Sequence, residues 1–168
     1  RGARLMDIDD NEASADEPFA GDTAVRLYQT VYCSRAADGV GEADVDRIIA
    51  SAQRRNPACG VTGLLVFGSG LFFQWLEGPR AGVALVMALI RNDARHRGIV
   101  TLSESEEVRE RLFPEWTMER VSADDLRAVL VDALDHVEDP SSAAALGEML
   151  ERLEIGGLGG LHARALGS

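Results

Sequence analysis

The sequence lacks the features that mark a membrane, secreted or metal-binding protein. It has no apolar run near the ~20 residues that a membrane span needs. Its two cysteines, Cys33 and Cys59, lie far apart and have no CxxC spacing, so neither a disulfide framework nor a structural metal site is expected. We therefore expect a cytoplasmic protein with reduced thiols and no membrane partner.

Basic residues are scarce, and lysine is absent altogether. The net charge is −11, and the acidic excess lies at the two ends. Residues 1–23 carry two arginines and seven acids, residues 121–168 carry three arginines and nine acids, and residues 24–120 carry twelve of each. A neutral centre without a basic stripe excludes nucleic acid as the expected direct partner.

The most informative stretch is LFFQWLEGP, residues 71–79. Side chains alternate between the two faces of a strand, so Gln74 shares a face with Phe72 and Leu76. A buried amide without a partner costs about 1–3 kcal/mol, so Gln74 must face another polar group. We expect that group to identify the site.

Hydrophobic periodicity predicts a β-α-β-β-α-β-β order. The predicted strands are 25–34, 61–67, 71–77, 98–102 and 115–121, and the predicted helices are 42–54 and 79–92. Pro57 is expected to end the first helix, and residues 103–112, with four glutamates, are expected to form a solvated loop or short turn. Trp116 and Met118 are expected on one face of the fifth strand. This order predicts an α+β, ferredoxin-like sheet with both helices on one face.

Two further amphipathic helices are predicted over residues 122–155, the first capped by Ser122. They supply an apolar cover for the other face of the sheet. We therefore divide the chain into an acidic, disordered lead-in (1–23), a central domain (24–121), a helical pair for output or oligomerisation (122–155) and a flexible tail (156–168).

Several polar side chains converge on one predicted cleft between the sheet and its two helices. They are Tyr32, Ser34, Asn56, Gln74, Asp93 and His96. Each alone has an ordinary explanation, such as a core tyrosine, a helix end or a turn. Together they offer amide and hydroxyl groups but no nucleophile–base pair, metal cluster or phosphate loop. That set suits a planar, hydrogen-bonding ligand and is poor for hydrolysis.

Six motifs in residues 25–120 resemble the BLUF domain, a blue-light sensor that uses flavin. They are YCS (32–34), RRN (54–56), VTGLL (61–65), FFQWLEGP (72–79), I-x-x-D-x-x-H (90–96) and FPEWTM (113–118). The resemblance implies a photoreceptor that binds flavin non-covalently, with FAD expected and FMN or riboflavin as alternatives. It also implies no enzymatic activity, because residues 121–168 are too few for a cyclase or phosphodiesterase.

The resemblance also assigns roles to individual residues. Tyr32 matches the electron and proton donor to excited flavin, and Gln74 matches the glutamine whose rearrangement gives the red-shifted signalling state. Signal-relay positions are matched by Trp116 and Met118. The residues expected to contact the flavin are Tyr32, Ser34, Arg55, Asn56, Gln74, Ile90, Asp93 and His96. Arg55 departs from the Asn or His of many family members, which leaves the holder of the ribityl chain and phosphate open.

The expected partners are the flavin, a downstream signalling protein and further copies of the chain, as a dimer or larger oligomer that covers the helix stripes. Two other functions stay open on the residues alone. One is a ferredoxin-like regulatory module without photochemistry. The other, less favoured, is an acylphosphatase-type hydrolase, which lacks its glycine-rich phosphate loop here.

Overall fold

A computed structural model describes residues 24–167 of the chain. The strands are β1 (Val25–Ala36), β2 (Thr62–Gly68), β3 (Leu71–Gly78), β4 (His96–Arg109) and β5 (Glu119–Arg120). The helices are α1 (Glu42–Cys59), α2 (Arg80–Arg91), α3 (Ala123–His136) and α4 (Pro140–Gly167). The predicted lead-in, residues 1–23, lies outside the described residues.

The strands form one sheet in the order β4-β1-β3-β2-β5. The pairs β1–β3, β1–β4 and β2–β3 are antiparallel, and β5 runs parallel to β2. The register sets Gln74 opposite both Tyr32 of β1 and Leu65 of β2. Gln74 is therefore on the central strand, and the predicted ferredoxin-like α+β fold is confirmed.

Each face of the sheet is covered by one pair of helices, as predicted. On one face, Tyr32, Phe72 and Leu76 pack with residues of α1 and α2. On the other face, Phe73 and Trp75 pack with residues of α3 and α4. Apolar burial at about 25 cal/mol per Å² makes these two layers the main stabilising interaction of the fold. Among residues 24–167, no helix is long and apolar enough to cross a membrane.

Helix α1 runs past Pro57, so the prediction that this proline ends the helix is wrong. The helix continues to Cys59 because a left-handed glycine, Gly60 at φ 70°, supplies the actual stop. The amide of Val61 then returns to the carbonyl of Asn56 at 3.1 Å, which is the Schellman pattern of a helix end. A proline in the last turn removes only one backbone donor.

Strand β4 is much longer than predicted, since residues 103–109 extend it rather than forming a loop. The fourteen residues of β4 pair along the whole of β1. This is an edge strand, where acidic side chains point into water or meet cations, as Glu106 meets Arg80 at 2.7 Å. The long ladder outweighs the low strand propensity of glutamate.

The fifth strand is shorter than predicted, and the expectation that Trp116 and Met118 share a face is wrong. Only Glu119 and Arg120 pair with β2. Trp116 packs in the cluster under α3 and α4, whereas Met118 lies in the cluster under α1 and α2. The segment before β5 bends around the sheet edge, so strand alternation does not apply to it.

Helix α4 has a kink at Gly156 and Gly157, where the backbone leaves helical angles. The sequence predicts a flexible tail from this point. The structure instead has a further helical stretch to Gly167, with Leu158 and Leu161 buried against the sheet. Leu158 and Leu161 are three residues apart, so they share one face of this helical stretch and anchor it. The many glycines around them had indicated a flexible segment.

Candidate functional site

A buried hydrogen-bonded chain of three side chains forms the centre of the site. Tyr32 is fully buried and Gln74 is 4% exposed. The Tyr32 hydroxyl donates to Oε1 of Gln74, and Nε2 of Gln74 donates to the sulfur of Met118 at 3.3 Å. The polar partner that Gln74 requires is therefore Tyr32, on the strand beside it.

A cavity of about 240 Å³ opens on this chain between α1, α2 and the start of β4. Five of the eight residues predicted to contact a ligand line it: Arg55, Gln74, Ile90, Asp93 and His96. Apolar wall is added by Ile48, Ala52 and Leu89. Leu89 is 45% exposed, so a ligand in the cavity would cover apolar surface that the sheet leaves open.

The other three predicted residues lie behind the cavity wall, each bonded to a residue that lines it. Tyr32 bonds Gln74. The Ser34 hydroxyl lies 2.8 Å from Nδ1 of His96. Asn56 accepts a bond from Arg55 at 3.3 Å and donates to the carbonyl of Thr117 at 2.8 Å. These residues fix the orientation of the lining side chains.

Asp93 is held ionised and His96 is held neutral. Burial opposes ionisation of Asp93, but hydrogen bonds from Arg95 at 2.8–3.0 Å outweigh it and lower the pKa of this carboxyl. Burial lowers the pKa of His96 to about 4, so the ring is neutral at pH 7. The mouth of the cavity thus carries a paired carboxylate and an uncharged imidazole.

Tyr32 is kept as a neutral phenol. Burial, and then electrostatic interaction with Cys33 and Asp93, raise the pKa of Tyr32 far above its usual value. Burial also raises the pKa of Cys33 to about 12. The phenol therefore keeps its proton at pH 7 and stays a hydrogen-bond donor to Gln74.

Arg95 is a residue that the sequence analysis missed. It lines the cavity and binds Asp93 through its backbone amide, Nε and Nη2. The D-x-R spacing in a tight turn at the end of a helix could have indicated this pair. Ser51 also lines the cavity, but nothing in its local sequence distinguishes it.

The residues present suit a flavin. The isoalloxazine ring is planar, apolar on its faces and polar along one edge. The cavity offers apolar walls and one amide, Gln74, at its inner end. The Nε–H of Arg55 is a buried donor without a partner in the part of the chain that the structure describes, and such donors normally bind something. No cluster of three or more potential metal ligands occurs in residues 24–167.

The protein is a ferredoxin-like α+β domain with a cavity between its sheet and two helices. The sequence profile of the family described as "BLUF: Sensors of blue-light using FAD" matches residues 27–119. That is more than half of the chain. The protein therefore belongs to the BLUF family, and its domain is a flavin-binding blue-light sensor.

Curated and solved relatives agree with this family. The beta subunit of the photoactivated adenylate cyclase of Euglena longa is 37% identical over 93 residues, covering 55% of this chain and 11% of the subunit. The blue light- and temperature-regulated antirepressor BluF of Escherichia coli is 38% identical over 76 residues, covering 45% of this chain and 19% of the relative. The chain thus matches only a small part of either protein's length.

Among solved structures, the dark state of BlrB, a BLUF protein, is similar in both sequence and fold. It is 32% identical with a TM-score of 0.58, covering 73% of this chain and 92% of that one.

Proposed function

We propose that the chain senses blue light through a flavin held in the cavity between α1 and α2, and that Tyr32 and Gln74 carry out the photochemistry. The observation that carries this proposal is the buried Tyr32–Gln74 hydrogen bond at the inner end of that cavity. Arg55, Ile90, Asp93 and His96 would hold the flavin, with Arg95 as an additional contact. The bound flavin supplies blue-light absorption and an electron acceptor.

Tyr32 would give an electron and its hydroxyl proton toward the bound flavin, Gln74 would relay the proton, and both would return to Tyr32 once the amide has changed. The hydroxyl proton of Tyr32 lies on the bond to Oε1 of Gln74, so transfer needs no movement of the ring. The amide of Gln74 then either rotates, which exchanges its oxygen and nitrogen ends, or tautomerises to the imidic acid. Rotation gives up the bond that Oε1 accepts from Tyr32 and the bond that Nε2 donates to the Met118 sulfur, and the second of these is weak because sulfur is a poor acceptor.

Met118 and Trp116 relay the change. Met118 accepts a hydrogen bond from Gln74 and packs under α1 and α2, whereas Trp116, two residues earlier, packs under α3 and α4. A new amide orientation at Gln74 therefore alters the bond to Met118 and biases the position of this segment. A single local hydrogen-bond change that favours one of two arrangements is sufficient for a switch.

The output is a protein partner that contacts α3 and α4. Acids are spread over the exposed surface of these helices, including Asp124, Asp132, Asp135 and Glu151. A basic surface on the partner complements them. Further copies of the chain, as a dimer or larger oligomer, remain a second proposed contact.

The test is to purify the protein in the dark, identify any released flavin by chromatography, and record visible spectra before and after blue light. The proposal predicts a bound flavin whose spectrum shifts red and relaxes back in darkness. A colourless protein that takes up neither FAD, FMN nor riboflavin would favour the regulatory module without photochemistry.

A further inference from the structure

We propose that Glu77 is a positioning residue for the light signal, because it anchors the far end of the segment that carries Met118 and Trp116. This inference rests on the proposed photoreceptor function. Glu77 is three residues from Gln74 on β3 and faces the opposite side of the sheet. One strand thus holds the signal source on one face and the anchor on the other.

Glu77 is completely buried and fully bonded through its carboxylate. Its Oε1 accepts from Arg109 at 2.8 Å, and the two side chains are 0% and 3% exposed. Its Oε2 accepts from the backbone amide of Phe113 at 2.8 Å. Arg109 in turn donates to Oε1 of Gln29 at 3.1 Å. We call Glu77, Arg109 and the Phe113 amide the Glu77 clamp.

The clamp fixes the beginning of the 113–118 segment, and Gln74 touches its end. Phe113 stacks on Trp116 with centroids 5.3 Å apart and planes 7° from parallel. The Phe113 ring is also nearly perpendicular to the Trp75 ring, with centroids 6.0 Å apart. At the other end of the segment, the sulfur of Met118 accepts a hydrogen bond from the Gln74 amide. The segment is therefore tied to β3 twice, once on each face of the sheet.

A segment held at one end transmits a displacement applied at the other end. Phe113 belongs to the same buried cluster as Leu126 and Leu130 of α3. While the clamp holds Phe113, a shift at Met118 must be taken up by Trp116 and its neighbours in that cluster. Without the clamp, Phe113 can move together with the rest of the segment. The displacement of Met118 is then absorbed within the segment and does not change the packing against α3.

The experiment compares three variants with the wild-type protein. Glu77→Gln keeps the shape but can accept from only one of its two donors, and it leaves Arg109 without a counter-charge. The double variant Glu77→Leu/Arg109→Met removes the whole clamp without burying a lone charge. Glu106→Gln is the matched control, because it breaks the half-exposed Glu106–Arg80 pair, away from the segment.

Two quantities are measured on each flavin-loaded protein. The visible spectrum gives the red shift after blue light. Hydrogen–deuterium exchange of peptides from residues 123–136, in the dark and in the light, gives the response of α3. We expect the double variant and Glu77→Gln to keep the wild-type red shift and to lose the light–dark difference in exchange. Glu106→Gln should keep both.

A purely structural role for Glu77 would raise exchange equally in dark and light and leave the difference intact. A folded double variant with the full light–dark difference in residues 123–136 would overturn the proposal, even if Glu77→Gln fails to fold. So would a wild-type protein that shifts red but shows no light–dark difference there. A wild-type protein with flavin and no red shift overturns the proposed function first, and the spectrum alone reveals it.

Discussion

Replacing Tyr32 with phenylalanine removes one hydroxyl from the centre of the site and should separate flavin binding from photochemistry. The hydroxyl is the donor to Oε1 of Gln74, and both side chains are buried. Its loss leaves a buried acceptor unpaired, which costs about 1–3 kcal/mol. For a domain of this size, that corresponds to a drop in melting temperature of roughly 2–12 °C. The cavity walls are unchanged, so flavin should still bind.

The assay combines thermal unfolding followed by circular dichroism with visible spectra before and after blue light. Tyr28→Phe is the control, since Tyr28 lies on the same strand and its hydroxyl bonds an exposed partner, Glu104, at 2.8 Å. We expect Tyr28→Phe to behave as wild type, and Tyr32→Phe to bind flavin without a red shift. A red shift of normal size in Tyr32→Phe would refute the role of Tyr32.

Three further predictions concern the surroundings of the site. Because the pKa of His96 falls from 6.5 to about 4 on folding, the unfolded chain binds the proton more tightly. The resulting stability is present above pH 6.5 and is lost as the pH falls toward 4. In urea unfolding, the free energy of unfolding should fall less from pH 7 to pH 5 in His96→Asn than in wild type. An equal fall in both proteins would contradict this linkage. Arg109→Met should lower the free energy of unfolding, measured by chemical denaturation, by about 3–5 kcal/mol, because it leaves the buried Glu77 carboxylate without a counter-charge. The double variant Glu77→Leu/Arg109→Met should be much closer to wild type. Equal losses in the two variants would contradict the buried ion pair. Gly63→Ala should fail to give soluble folded protein, since an added Cβ would lie 1.8 Å from the Trp75 carbonyl oxygen; normal expression and circular dichroism would be the contrary result.

The centre of the site could be predicted from sequence because it depends on one strand pair. The alternation of β3 placed Gln74 among buried apolar residues, and the predicted cleft included Tyr32 among the polar side chains near it. The register confirms that Tyr32 and Gln74 are direct neighbours. Local rules were sufficient for this pair because Tyr32 and Gln74 both lie within regular strands.

Long-range pairing explains what could not be predicted. The glutamates of β4 are strand residues only because β1 offers a long partner, which no local pattern encodes. Trp116 and Met118 lie in different buried clusters because the segment that carries them bends around the sheet edge. Gln53 and Asn56 of α1 hold this bend by donating hydrogen bonds to the carbonyls of Met118 and Thr117. Those bonds depend on where α1 docks, which is known only after folding.

The Glu77–Arg109 pair illustrates the same limit for charge. In sequence, Glu77 is one acid in a motif and Arg109 is one of several arginines in an apparently solvated stretch. They are 32 positions apart, and only the sheet brings them together in the interior. Burial of an ion pair is a property of the assembled layers and is invisible to composition.

The most direct test of the account is a light-minus-dark infrared difference spectrum of protein carrying glutamine labelled with ¹⁵N in the side-chain amide. The chain has three glutamines, Gln29, Gln53 and Gln74. Gln53→Arg serves as the control for a glutamine outside the cavity, because arginine lacks the labelled amide but keeps an N–H donor for the Met118 carbonyl. We expect label-sensitive bands that persist in Gln53→Arg and vanish, together with the red shift, in Gln74→Leu. A red shift accompanied by no label-sensitive band would contradict the rearrangement of Gln74.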